Sequence, residues 1–177
     1  AATDLLKHYA VGAGFYECVT YSFAGEADFD KLCLPADSPL RRAVRIKNPL
    51  GDDSAYMRTT LAADMLKVMA LNLKRKNKKV RLFEIDKVYL PESLPLAGAL
   101  PDERKTMILA ISQDVGDFYT LKEVVENICE VLRVPGLEIA VGGPEYYHPG
   151  RKAVLSIGGR EIGKIGEIHP DVQKNFG

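Results

Sequence analysis

Hydrophobic and polar positions recur along this chain with two periods, one near 3.6 residues and one of 2, and the switches between them mark its elements. The clearest switch lies in segment 48–90. Asn48-Pro49-Leu50-Gly51 carries turn chemistry. Behind Thr59 or Thr60, either a fitting N-cap, residues Leu61, Ala62, Met65, Leu66, Val68, Met69 and Leu73 return at helical spacing. They predict a face broad enough to cover a sheet, with Asp64 in the first turn at the positive end of the helix dipole. Residues 81–90 then read as a strand.

The flanking chain is shorter in its rhythm. Residues 3–10 predict a helix striped by Leu5, Leu6, Tyr9 and Ala10, capped by Thr3 and stopped at Gly12 or Gly14. Residues 15–24 predict a strand, with Phe15, Val19, Tyr21 and Phe23 inward and Tyr16, Cys18, Thr20 and Ser22 opposite. A short acidic helix over 26–32, a Pro/Ser loop and a strand over 43–47 follow. After a connecting loop over 91–103, residues 104–113 form a strand whose apolar run, Met107 to Ile111, predicts burial on both faces. Thr120 and Glu123 have the spacing of a capping box. The helix behind them is striped by Leu121, Val124, Val125, Ile128, Cys129 and Leu132 and ends at Pro135-Gly136. A strand over 137–141 precedes a hairpin, 153–157 and 161–168 around Gly158-Gly159. A last helix starts near Pro170. Strands outnumber helices and most connections are short, which predicts an α+β architecture with an antiparallel sheet flanked by helices.

Length and charge narrow the picture. At 177 residues, 46% hydrophobic and 27% charged, the chain has the profile of one soluble domain over 1–177. Its 24 basic and 24 acidic residues cancel, so no global field points to nucleic acid or a membrane surface. No apolar run is long enough for a membrane span. Cys18, Cys33 and Cys129 have neither metal nor disulfide spacing, which fits a reducing, cytoplasmic setting and inert thiols. The abrupt ends suggest a fragment of a longer chain.

Candidate chemistry is sparse. His8, His148 and His169 are scattered, and the last two precede turns, so they read as turn residues and not zinc ligands. Gly158, Gly159 and Gly163 lack phosphate-loop spacing. Glu84 and Asp86 share one face of a strand, as an acid–base or metal pair would, but so do Val80, Leu82, Val88 and Leu90, which favours a structural surface. The one dense charge run is Lys74, Arg75, Lys76, Lys78 and Lys79. It either complements a helix C-terminus or contacts a phosphate backbone.

Four stretches in order, GFYECVTYSF (14–23), AVRIKNPLGDDSAYMRTTL (43–61), RLFEIDKVYLP (81–91) and YHPGRKAVLSIGGREIGKIGEIHPDV (147–172), resemble the bacterial phenylalanyl-tRNA synthetase β-subunit family, in its catalytic-like domain. The resemblance implies a class II synthetase fold and a cytoplasmic α2β2 ligase that charges tRNA with phenylalanine using ATP and Mg2+. It implies an active site on the α subunit, with this domain a non-catalytic frame for assembly and tRNA. Active members of the class carry Arg-x-Glu on a strand. Here Arg81 and Glu84 are three apart and point to opposite faces, and the position two before Glu84 is Leu82. No catalytic, cofactor-binding or metal residue is therefore expected. The resemblance places contact with the α subunit on Leu5, Leu6, Tyr9, Phe15, Val19, Tyr21 and Phe23, and offers tRNA as the partner of Lys74, Arg75, Lys76, Lys78 and Lys79. The rival readings are a free-standing enzyme that adenylates an acid and a nucleic-acid-binding module.

Overall fold

The longest ladder in the computed structural model joins β4 (Arg81–Leu90) to β5 (Asp102–Ile111) antiparallel, from Arg81 opposite Ile111 to Leu90 opposite Asp102. The structure describes residues 2–96 and 98–177. Ala1, at the abrupt start, and Ala97, in the expected connecting loop, lie outside them. Alternation along the two strands builds two apolar layers. Phe83, Ile85, Met107, Leu109 and Ile111 face α1 (Ala2–Gly12) and α4 (Phe118–Val131). Leu82, Ile108 and Ala110 face Met65, Val68 and Met69 of α3 (Ala62–Lys74) on the other side. Both faces of β5 are therefore covered as its apolar run predicts, yet residues 106–111 are only half-buried. The reason is position: β5 pairs with β4 on one side and is the last strand of its sheet.

The segment expected as one strand over 15–24 is instead two short strands around a loop, β1 (Tyr16–Glu17), parallel to β4, and β2 (Phe23–Ala24), antiparallel to β3 (Tyr56–Met57). Its facing holds at Phe15 and Tyr16, which is 76% exposed, and is reversed from Val19 onward. Phe15 is buried, but Val19 and Tyr21 are each 83% exposed and Phe23 lies at the surface, while Thr20 points inward. Hydrophobic patterning loses here because Thr20 meets two buried ionic partners, Glu84 on β4 and Arg58 just after β3. The strand expected over 43–47 is reduced to a bridge between Arg45 and Tyr56, with Ile46 and Met57 amides donating to Ala55 and Val44 carbonyls.

Between these pieces, α2 (Glu26–Lys31) packs Phe29 with Leu32, Leu34, Ala63 and Val172 in a second core. A third sheet, β6 (Leu137–Val141), β7 (Tyr147–Ile157) and β8 (Arg160–Ile168), is antiparallel and lays Ala153, Leu155 and Ile165 against Leu121 and Val125 of α4. Its hairpin turns at Gly158 and Gly159, both with positive φ, as the paired glycines require. The helix expected from Pro170 is α5 (Pro170–Phe176), and His169 caps it by accepting the Asp171 amide at Nδ1, 3.2 Å.

Three helix starts differ from expectation. α1 begins at Ala2, so Thr3 lies inside it. At α4 the cap is Asp117, whose Oδ1 accepts from the amides of Tyr119 and Thr120, while the Thr120 hydroxyl accepts from the Asp117 amide; Thr120 is the last residue of the box and not the first. At α3 the N-cap position is Leu61 and neither threonine holds it: Thr60 Oγ1, one residue earlier, accepts from the Ala62 amide at 3.2 Å, and Thr59 donates to the Leu40 carbonyl on a distant loop.

The helix ends share one device. At the end of α1 the Gly14 amide donates to Val11 and the Phe15 amide to Ala10, with Gly14 in the left-handed region, a Schellman motif. Helices α2, α3 and α4 close with the same bond pair, but their left-handed residues are Cys33, Lys76 and Arg133. A side chain there costs about 1 kcal/mol against glycine. Replacing Arg133, φ 55°, with Gly should therefore raise the unfolding free energy by roughly 1 kcal/mol. Chemical denaturation measures it; an unchanged or lowered midpoint contradicts the strain assignment.

Candidate functional site

Strand β4 brings Glu84 and Asp86 to one face, as their spacing requires, and between them sits a residue that the hydrophobic period does not mark. Arg58, directly after β3, is 1% exposed and is the largest fully buried side chain among the described residues. Its Nη1 donates to Glu84 at 3.2 Å, to the Thr20 hydroxyl at 2.7 Å and to the Tyr21 carbonyl at 3.2 Å. Nη2 donates to Asp86 at 2.8 Å and Nε to the Lys87 carbonyl at 3.1 Å. Its backbone is fixed as well: the Arg58 amide donates to Ser22 and its carbonyl accepts from Tyr89.

Glu84, itself 1% exposed, is saturated by its own chain. The Thr20 hydroxyl lies 2.9 Å from both carboxylate oxygens, and the Thr20 amide donates to Oε1 at 3.1 Å. Asp64 adds a third carboxylate, 3.7 Å from Arg58 and 3.1 Å from Lys67, whose ammonium also meets the buried Asp28 at 2.8 Å. The cluster thus holds two cations against four carboxylates. Removing one member of such a buried pair strands the other and costs roughly 3–5 kcal/mol. Burial raises the Asp64 carboxyl above its ordinary 3.8, against the pull of Lys67. Burial and the neighbouring Glu84 carboxylate push the Cys18 thiol up to about 11, which keeps it protonated and inert at neutral pH.

Arg81 is engaged elsewhere. It donates to the Ala13 carbonyl at the end of α1, 3.0 Å, and its guanidinium lies over the Phe15 ring at 5.9 Å. It therefore faces the opposite side from Glu84, as their three-residue separation predicts. Leu82, on the face of Glu84, packs against α3.

The other expected site residues fall into two groups. Lys74, Arg75, Lys76, Lys78 and Lys79 are all exposed at the end of α3. They follow one another closely along the chain, and α5, which carries Lys174, ends against Lys74. Of the expected interface, Phe15 and Tyr9 belong to the core beside Phe83 and Leu6 is half-buried, whereas Leu5, Val19, Tyr21 and Phe23 are exposed. His148 accepts the Gly150 amide at Nδ1, 3.1 Å, so its role is local, as that of His169 is. No group of three His, Cys, Asp or Glu side chains able to hold a metal ion occurs among the described residues. None of their helices is long and apolar enough to cross a membrane.

Hydrophobic periodicity does not single out Arg58, Thr20, Asp28 or Lys67, because each is polar in a segment dominated by apolar spacing. One signal was available: two carboxylates on a face otherwise made of Val80, Leu82 and Val88 need a buried cation, and Arg58 is a basic residue in an otherwise uncharged stretch.

Over residues 1–177 the chain matches the family model described as the phenylalanyl tRNA synthetase beta chain CLM domain. It is 38% identical over 174 residues to the phenylalanine–tRNA ligase beta subunit of Clostridium acetobutylicum, covering 98% of this chain and 22% of that relative. With the Geobacter metallireducens beta subunit it shares 36% identity over 181 residues, 97% of this chain and 23% of the relative. The chain thus spans less than a quarter of these relatives. Two solved structures share its fold. The crystal structure of pyrrolysyl-tRNA synthetase from Desulfitobacterium hafniense superposes with a TM-score of 0.76 at 18% identity, over 99% of this chain and 61% of that one. A second pyrrolysyl tRNA synthetase structure, Desulfitobacterium hafniense PylSc, gives 0.69 at 19%, over 92% and 54%. The expected class II architecture is the one found.

Because the Asp64 carboxyl sits above its ordinary value when folded, the folded chain holds that proton more tightly than the unfolded one. Its contribution is fully present below pH 3.8 and is lost as pH rises through the raised folded value. The stability of the wild type relative to Asp64→Asn should therefore fall as pH rises through the range above 3.8. Urea titrations across that range would contradict this if the gap stays flat or widens.

Proposed function

The chain belongs to the phenylalanyl-tRNA synthetase β-chain family, and on that premise we propose that it is a non-catalytic, catalytic-like domain of a phenylalanine–tRNA ligase β subunit. Residues 1–177 act as one unit that supports assembly with the α subunit in a cytoplasmic α2β2 enzyme. ATP and Mg2+ serve that enzyme at the α subunit.

The observation that carries the non-catalytic reading is the state of β4. Its buried glutamate is spent on Arg58 and Thr20, its neighbour on that face is Leu82, and Arg81 is tied to the end of α1. An ATP phosphate would need an open cation there, and the buried one already faces three carboxylates. The assembly reading is supported by Val19, Tyr21 and Phe23, large apolar side chains exposed on one short segment, and by Leu5, exposed on α1. The relatives are beta subunits by name, which supplies the partner: the companion α subunit.

For tRNA, the exposed run Lys74, Arg75, Lys76, Lys78 and Lys79 is the surface we favour, because closely spaced cations match the spacing of phosphates. The rival acid-adenylating enzyme would need an open cation beside Glu84, which finds no support in the Arg58 network.

Full-length β subunit purified without its partner should give no phenylalanine-dependent exchange of pyrophosphate into ATP, whereas the reconstituted ligase should. Turnover by the β subunit alone would overturn the frame reading. In the reconstituted ligase, reversing Lys74, Lys76, Lys78 and Lys79 to Glu should flatten the dependence of tRNA affinity on salt, by about 0.9 in log–log slope for each phosphate no longer neutralised. An unchanged slope removes this surface from the tRNA path.

A further inference from the structure

Segment 18–22 is inside out. Its apolar side chains, Val19 and Tyr21, are each 83% exposed, while Thr20 between them is sunk against β4. A short loop presenting two large apolar groups to water would ordinarily collapse onto them. This one is held open by bonds from one small set of buried groups. The Cys18 amide donates to the Phe83 carbonyl at 2.8 Å. The Thr20 amide and hydroxyl both reach Glu84, and the hydroxyl also accepts from Arg58 at 2.7 Å. The carbonyls of Tyr21 and Ser22 accept from the Arg58 side chain and amide, at 3.2 and 3.1 Å. Every residue of the loop except Val19 is thereby tied to β4 or to Arg58.

From this arrangement we infer that the Arg58–Glu84 pair, through the Thr20 hydroxyl, is a preorganising latch that holds Val19 and Tyr21 in position to dock on the α subunit. The inference rests on the reading of this surface as the α-subunit interface. Arg58, Glu84 and Thr20 are positioning residues that do not themselves touch the partner. The physical reason is entropic. A loop that must be ordered at the moment of binding subtracts that ordering from its affinity, and a loop already ordered does not. If only a fraction of free molecules holds the docking-ready loop, apparent affinity falls by that fraction, and the loss appears in the association rate. The latch also sets register. With Thr20 turned in, the residues on either side of it, Val19 and Tyr21, both face out.

The test uses full-length β subunit and its α partner. Thr20→Val keeps the side-chain volume and removes the hydroxyl. It should slow association about tenfold with little change in dissociation, the weight of one or two bonds to charged groups. Amide exchange over 18–22 should quicken in the free β subunit by more than its global unfolding free energy falls, since losing the hydroxyl also leaves Glu84 and Arg58 one bond short. Thr20→Ser restores the hydroxyl and should restore both rates. If Thr20→Val does not yield folded protein, Thr20→Ala, which adds no methyl to the buried face, makes the same comparison. Tyr21→Ala, which truncates a docking side chain, should instead speed dissociation. If Tyr21→Ala weakens the complex but removing the Thr20 hydroxyl alters neither association nor exchange, the latch is wrong and the docking surface stands. If Thr20→Ser is as impaired as Thr20→Val, the hydroxyl is not the linking group and the latch is likewise wrong. If neither Tyr21→Ala nor Thr20→Val affects assembly, the docking surface itself is wrong and the latch has nothing to serve.

Discussion

A guanidinium at 1% exposure has five N–H donors to satisfy and a charge to balance, with almost no water to do either. Arg58 meets both demands by drawing parts of the chain that are distant in sequence onto one point: the loop after β1, the first turn of α3, and β4 through Glu84, Asp86 and the Lys87 carbonyl. The buried cation makes them one unit, because moving any of them leaves an unpaired charge.

That demand also explains where the sequence was legible. Positions whose inward face is apolar, such as Met65 and Met69 of α3, Met107 to Ile111 of β5, and the strands around the Gly158-Gly159 hairpin, follow their periodicity closely. Segments answering to buried charge do not. Residues 15–24 have the composition of a strand with an apolar inner face, yet the Thr20 face turns inward because one hydroxyl bonded to two charged groups outweighs the burial of Val19 and Tyr21. Asp64 has the position of a dipole-complementing residue and is instead drawn into the ion cluster. Local rules also compete among themselves: Asp117 and Thr120 offer as good a capping box as Thr120 and Glu123, and the earlier one wins.

The candidate site was half readable. The pairing of Glu84 with Asp86 and the divergence of Arg81 followed from a period of 2 alone. What those carboxylates hold did not follow, since the partner lies 26 residues away from Glu84 along the chain and no periodic signal links them. The result is a class II frame whose strand face is closed from within. Catalytic use would need that same face open to a phosphate, so the interactions that bind the frame together and those that would make it an ATP site compete for one carboxylate.

Strand β5 has β4 on one side and ends the sheet on the other. Its two halves differ in kind. The first four positions, Asp102, Glu103, Arg104 and Lys105, place both signs of charge along the edge, and Thr106 through Ile111 carry none. An incoming strand pairing with the charged half would have to match both signs in register, whereas the second half offers backbone groups beside apolar side chains. The edge is therefore gated: it admits a further strand over 106–111 and resists one over 102–105, which limits how far along its length this sheet can grow.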